Sequence, residues 1–282
     1  MSNTEHIKNY ICNPLPLWDV QIANLVTDYK WSSSLENIFP NREDYSIAGC
    51  VLKDAGQKEE AYFLLGINDK IRLVLPTDVL SDFYEKHGLK PSRSGMSLIE
   101  KIQRVKSAMD MISELPSLSS FILHLVKSIQ IIEAENPETD ISYSHPDIPF
   151  SIFFSLCEQV SIISDLRVAE SIIHESMHLL LSLVENHSDL IIPGSNTTFY
   201  SPWRGEHRPI RGVLHGMFVF KAIKEFYNIL LTEGIIKSSC EKEYINLRVQ
   251  EIETEMRLLT DFPELVGLTS LGRELSIKLL GI

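Results

Sequence analysis

A chain of 282 residues that is 44% hydrophobic can bury a sizeable core as one large domain or two small ones, and with 13 Gly and 13 Pro it is neither a fibrous repeat nor a low-complexity chain. A formal charge of −12 argues against the basic footprint of a general nucleic-acid binder. No apolar run approaches the roughly 18 residues of a membrane span, so neither nucleic acid nor membrane is expected as a partner.

Residues 1–10 lack the basic start and apolar core of a secretion signal, and Cys12, Cys50, Cys157 and Cys240 stand singly. A cytoplasmic chain with reduced thiols is expected. Residues 17–39 carry apolar side chains at helical spacing (Leu17, Val20, Ile22, Leu25, Val26) and stop at Pro40, which predicts a helix. Two β-type stretches, 47–52 and 61–67, follow, and a third, 71–75, ends at Pro76. Thr77 is suited to cap a helix running to about residue 87.

The polar stretch 89–95, with Pro91, Ser92, Ser94 and Gly95, reads as a linker. It suggests an N-terminal α+β region, 1–92, as a candidate for peptide recognition, and a mainly helical metal-binding catalytic domain, 93–282; one continuous domain is the alternative. Helical patterns at 97–114 and 117–135, parted by Pro116, read as core-packing helices. After a polar break at 136–140, residues 141–149 read as irregular and extended, and 151–156 as a short apolar strand. A helical period runs from 164 to 186, a Pro- and Gly-containing loop from 188 to 208, and further helices span 209–231, 239–259 and 270–280. The fold class expected is mainly α with a few short β-strands, an α+β chain around a helical metal-binding core.

The chemistry centres on His174-Glu175-Ser176-Met177-His178. Residues four apart on an α-helix lie one turn above each other, so two imidazoles so placed can share one metal ion and leave positions for a third ligand and a substrate. At about 100° per residue, Glu170, Met177, His178, Leu181 and Glu185 all fall on the His174 side of the helix. Two histidines and two carboxylates on a half-buried face need partners, because an unpaired buried polar group costs about 2 kcal/mol or more. A metal with carboxylates behind its ligands meets that need; the plain alternative is a pair of core histidines satisfied by neighbours.

The third ligand decides the chemistry. Leu181 and Val184 stand where a metzincin needs Gly and His. Glu206 lies in a Pro- and Gly-bounded loop without the helical setting of a glutamate-type zinc peptidase. His215 is the better candidate, because it projects from the apolar face of a helix opening at Pro209, beside Gly212, Phe218, Val219, Ala222 and Phe226. Gly212 and Gly216 each cost about 1 kcal/mol of helix propensity, which suggests close approach by another backbone or a ligand. Arg204, Arg208 and Arg211 crowd the entrance of that helix, where guanidinium forks and a helix N-terminus can receive a carboxylate.

These segments together resemble a known family. His174-Glu-Ser-Met-His178, then Tyr200-Ser-Pro-Trp-Arg204 and Arg208-Pro-Ile-Arg-Gly-Val-Leu-His215-Gly, with Ser144-His-Pro-Asp-Ile-Pro149 and Phe153-Phe-Ser155 before them, are similar to the HExxH-motif iron(II)- and 2-oxoglutarate-dependent peptide β-hydroxylases of natural-product clusters. The likeness covers roughly residues 140 to 220, and the first 130 residues carry no matching motif. It implies His174, His178 and His215 as ligands of Fe(II), with 2-oxoglutarate as co-substrate and a ribosomally made precursor peptide as substrate. Arg208 or Arg211 would hold the distal carboxylate of 2-oxoglutarate, Arg208 by preference, with Arg204 nearby. Glu175 would orient a ligand histidine or a water. Three histidines depart from the usual two-histidine, one-carboxylate oxygenase set, so Glu170 and Glu206 stay open as third ligands. The competing reading is a zinc-dependent metallopeptidase with Glu175 as the general base that activates a metal-bound water.

Overall fold

The computed structural model describes residues 3–13, 16–27, 62–65, 71–74, 80–92, 96–134, 140–145, 148–157 and 161–282. The strand expected at 47–52, the expected helix beyond Thr27 and the Thr77 cap lie outside these residues. The chain is mainly helical, with a small mixed sheet and a hairpin. It divides into two units, one formed by Met1–Val26 and Leu180–Ile282, the other by Thr27–Leu179.

The Thr27–Leu179 unit is built on a five-stranded sheet. Its strands are β1 (Tyr62–Leu65), β2 (Ile71–Val74), β3 (Ser128–Ile132), β4 (Ser142–His145) and β5 (Ile148–Ser155), in the spatial order β1-β2-β3-β5-β4. The β2–β3 and β3–β5 pairs are parallel, while the outer pairs β1–β2 and β4–β5 are antiparallel. The centre of a parallel arrangement is covered on both faces, and all five residues of β3 are buried. Ser128 Oγ and Ser151 Oγ lie 2.6 Å apart inside the sheet, and the Gln130 side-chain oxygen accepts from the hydroxyl of Tyr84, which lies outside it.

Between β2 and β3 run α3 (Ser81–Lys86), α4 (Leu98–Ser113) and α5 (Pro116–Leu125). The start of α4 is a capping box. Ser97 Oγ accepts from Glu100 N at 3.3 Å, and the Glu100 carboxylate accepts from Ser97 N at 2.8 Å. Pro116 opens α5 at a position where no amide hydrogen is needed. Leu80, Phe83 and Tyr84 pack with Ile132, Ile148 and Phe153 as one buried cluster.

Three expectations need correction here. The helix expected over 117–135 stops at Leu125, and Ser128–Ile132 is a strand instead, because Ser-Ile-Gln-Ile-Ile is a short β-branched run that two parallel neighbours bury. The segment expected as a linker packs beside β3. Ser92 N donates to Ile131 O at 3.0 Å, Glu133 N donates to Lys90 O at 2.6 Å, and Pro91 bridges Ile132. The break expected at 92 therefore falls inside one unit. Residues 142–145, expected to be extended but irregular, form the regular strand β4, with a register shift between Ser144 and His145. Nearby, buried Phe150 sits at φ 64°, a left-handed conformation costly for a side chain of this size.

The other unit carries α1 (Asn3–Cys12), which the polar N-terminal sequence did not announce, and α2 (Val20–Thr27). A hairpin follows in its C-terminal part, β6 (Thr198–Ser201) and β7 (Glu206–Pro209), inside the stretch read as loop. Then come α7 (Ile210–Thr232), α8 (Ser239–Arg257), a short 3-10 turn at Phe262–Glu264 and α9 (Ser270–Leu280). Helix α7 is the hub: Val213, Leu214, Met217, Phe218, Ala222, Phe226 and Leu230 are all fully buried. Gly272 lets α9 lie against the chain at Leu190, where a Cβ would stand 2.0 Å from the Leu190 carbonyl oxygen. Thr269 Oγ1 caps α9 there, accepting from Gly272 N at 3.1 Å while donating to Asp189 O at 2.8 Å. No described helix is long and apolar enough to cross a membrane.

Candidate functional site

The histidine motif lies on α6 (Ser164–Glu185), a single helix of 22 residues. Along it, from Ser171 to Val184, every residue is buried except His174, His178 and Ser182, which are half-buried. Glu170 and Glu185, one turn before and after these three, are half-buried as well. Between Ser171 and Val184 the accessible part of the helix is thus a narrow seam at four-residue spacing, and every residue on it is polar. The two imidazoles face each other across one turn, with ring centroids 4.8 Å apart and planes at 62°. Two ring nitrogens on adjacent turns suit a shared divalent transition metal.

Glu175 stands off the seam. Its side chain is buried, and its Oε1 lies 3.8 Å from His174 Nε2. The separation is longer than a hydrogen bond. A general base acting on a metal-bound water would have to reach the accessible face.

His215 lies in the other unit, on α7, and is 5% exposed. Its Nε2 meets Glu185 Oε2 at 3.1 Å. The same oxygen receives Arg211 Nε at 2.9 Å and Nη2 at 2.6 Å, so one carboxylate oxygen gathers a guanidinium and an imidazole. Burial raises the Glu185 carboxyl, but the hydrogen bonds and charges of His215 and Arg211 outweigh it and hold the group below the usual carboxylate value. For His215 the balance goes the other way. Burial disfavours the imidazolium more than Glu185 favours it, so its pKa falls below the ordinary histidine value.

The arginines of the expected cluster separate. Arg211 is engaged by Glu185. Arg204 is exposed in the hairpin turn, where Arg204 N and Gly205 N donate to Ser201 O and Gly205 takes φ 66°. Arg208, on β7 opposite Phe199, has Glu206 as a carboxylate neighbour only at 3.9 Å, and its side chain is 42% exposed. Of the three, Arg211 is the one whose guanidinium a carboxylate holds at short range among the described contacts.

The glycines of α7 also receive an answer. Gly216 lies under the Trp203 ring, and a Cβ there would come within 2.4 Å of it. Trp203 stacks on Phe220 at 4.9 Å and 22°, and the Arg248 guanidinium lies over the Phe220 ring at 5.3 Å. Gly216 is therefore needed for the hairpin tip to seat on α7, a role the sequence did not specify. Nothing in the structure explains Gly212, whose Cβ would meet open space.

Among the described residues, no group of three or more His, Cys, Asp or Glu side chains is gathered as a metal ion would require. The structure brings His174 and His178 together on α6 and brings His215 to Glu185 and Arg211. Sequence reasoning placed Glu185 on the histidine side of α6 but missed its link to His215, 30 residues away. No family model and no curated protein matches this chain.

Proposed function

We propose that the chain is an iron(II)- and 2-oxoglutarate-dependent oxygenase that hydroxylates a side-chain β-carbon of a ribosomally made precursor peptide. The observation that carries the reading is the α6 seam, where the only breaks in a buried run are His174, His178 and Ser182. A pair of histidines kept half-accessible at one-turn spacing is what a metal-binding helix needs. A helix that only packs would gain by burying apolar side chains there.

The donors fit in part. His174 and His178 supply two imidazoles of suitable spacing, and His215 is the third ligand in this proposal. A ligand histidine usually gives its other ring nitrogen to a carboxylate, and the contact of His215 Nε2 with Glu185 matches that habit. When bound, iron(II) with 2-oxoglutarate and dioxygen supplies an oxidant able to take hydrogen from an unactivated carbon and return a hydroxyl. The chain's own residues bind and orient. Glu175 fixes the His174 ring from the buried side, and Glu185 fixes His215 while neutralising Arg211. Arg208 offers its fork to the distal carboxylate of 2-oxoglutarate. The buried residues flanking the seam, Ile173, Met177 and Leu181 among them, keep water from the reacting centre.

Co-expression with a small peptide encoded beside it tests the reading. A mass gain of one oxygen on the peptide, dependent on His174 and His178, is the expected result. A cleaved peptide with no added oxygen would point to the metallopeptidase instead.

A further inference from the structure

A second site lies in the unit that contains α7, α8 and α9. A pocket of about 380 Å³ opens there, with Lys221, Lys224, Arg257, Glu253, Met256 and Leu279 in its lining, and none of these residues belongs to the histidine seam. Its size falls within the range of small-molecule sites. The lining is two-sided. Met256 and Leu279 are buried apolar side chains, whereas the charged side chains of the lining are Lys221, Lys224, Arg257 and Glu253.

That balance runs against the rest of the molecule, whose formal charge is −12. An acidic chain repels anions in general, so a local excess of cations in a concave, half-apolar place is a specific feature. Glu253 does not cancel it. The carboxylate pairs with Lys224 at 2.7 Å and reaches Arg257 only at 3.8 Å, across an Arg257 side chain that is 76% exposed. Lys221 is half-buried, and burial together with its neighbour Lys224 depresses its ammonium by more than the carboxylates of Glu225 and Glu253 raise it. An anion entering the pocket would relieve both effects.

We propose that this pocket binds a small organic anion with an apolar tail, of the chemistry of a medium-chain carboxylate, its head between Lys221 and Arg257 and its tail against Met256 and Leu279. Lys224 stays with Glu253 and closes one side. The proposal does not depend on the metal site.

Calorimetric titration of the full chain with octanoate, 1-octanol and inorganic phosphate tests it. Octanoate binds saturably at one site, and both octanol, which lacks the charge, and phosphate, which lacks the tail, bind at least about tenfold more weakly. Lys221→Met keeps an unbranched side chain one atom shorter and removes the charge, and it weakens octanoate about tenfold or more. Arg257→Gln, on an exposed side chain that tolerates change, weakens it in the same direction and serves if Lys221→Met does not fold. No saturable octanoate binding, octanol or phosphate binding as tight as octanoate, or unchanged affinity in the folded variants would overturn the proposal.

Discussion

The histidines of α6 and the histidine of α7 stand in opposite circumstances on helices that look alike in sequence. His174 and His178 interrupt a sealed surface and stay half-accessible, whereas His215 is buried with its Nε2 on a carboxylate that also holds a guanidinium. Burial of a polar ring is tolerable when the chain supplies a partner, and it then contributes to stability. A half-accessible polar ring in a buried run is, by contrast, open to approach from outside. Position on an apolar helix therefore does not fix a histidine's surroundings, which range here from the half-accessible seam to a buried carboxylate contact.

The comparison predicts its largest effect at the seam. His174→Ala and His178→Ala each abolish metal binding, while thermal unfolding moves by no more than about 1 kcal/mol, since the rings are half-exposed. Metal content of the purified variants and their melting curves check both halves. Retained metal in either variant would erase the contrast.

The arginines sharpen it next. Arg208→Ala weakens 2-oxoglutarate about 10- to 100-fold, the loss of hydrogen bonds to a charged group. Arg208→Lys rescues poorly because a point charge cannot reproduce the fork. Arg211→Ala instead leaves 2-oxoglutarate affinity within about threefold and lowers stability, as its guanidinium serves Glu185. Binding titrations with iron(II) under anaerobic conditions separate the two residues.

Glu185→Gln tests the sealed side. It keeps the shape but removes the charge that His215 and Arg211 share, and it lowers stability by about 1 to 3 kcal/mol, read by denaturant unfolding. A neutral outcome would mean that the cluster is incidental.

How much of this was legible in the sequence follows from the same physics. Helices α6 and α7 were readable because a 3.6-residue period persists over more than 20 residues in each. Ser128–Ile132 was misread as helix because a short apolar run has no period of its own, and only its burial between β2 and β5 makes it a strand. The hairpin around Trp203 hid inside a correctly marked turn region, since strands of four residues leave little alternation to see. The seam was half legible: helical projection put Glu170, His174, His178 and Glu185 on one side, but not which of them the fold would leave accessible. The Glu185–His215 pair was out of reach, because periodicity carries no information about contacts between separate helices.

The smallest effect concerns a half-buried carboxyl, that of Glu225. Burial pushes the Glu225 carboxyl up to about 7, although Leu17 N–H and the charges of Lys221, Lys278 and Lys224 pull it down. A carboxyl whose folded pKa is raised favours the folded state fully below its unfolded value and loses that contribution as pH rises through the folded one. Stability therefore falls by about 1 to 2 kcal/mol between about pH 4.5 and 7 on account of this group, after allowing for solvent screening. Glu225→Gln flattens that part of the pH–stability profile. An unchanged slope would remove Glu225 from the account.

The central claim is that the α6 seam holds iron(II) for 2-oxoglutarate chemistry, and an anaerobic titration of the iron-loaded chain with 2-oxoglutarate, followed by visible absorption, tests it most directly. The account predicts a saturable absorption band that is absent in His174→Ala and His178→Ala and persists in Glu175→Gln. No band in the wild type, together with zinc-dependent peptide cleavage that vanishes in Glu175→Gln, would contradict it.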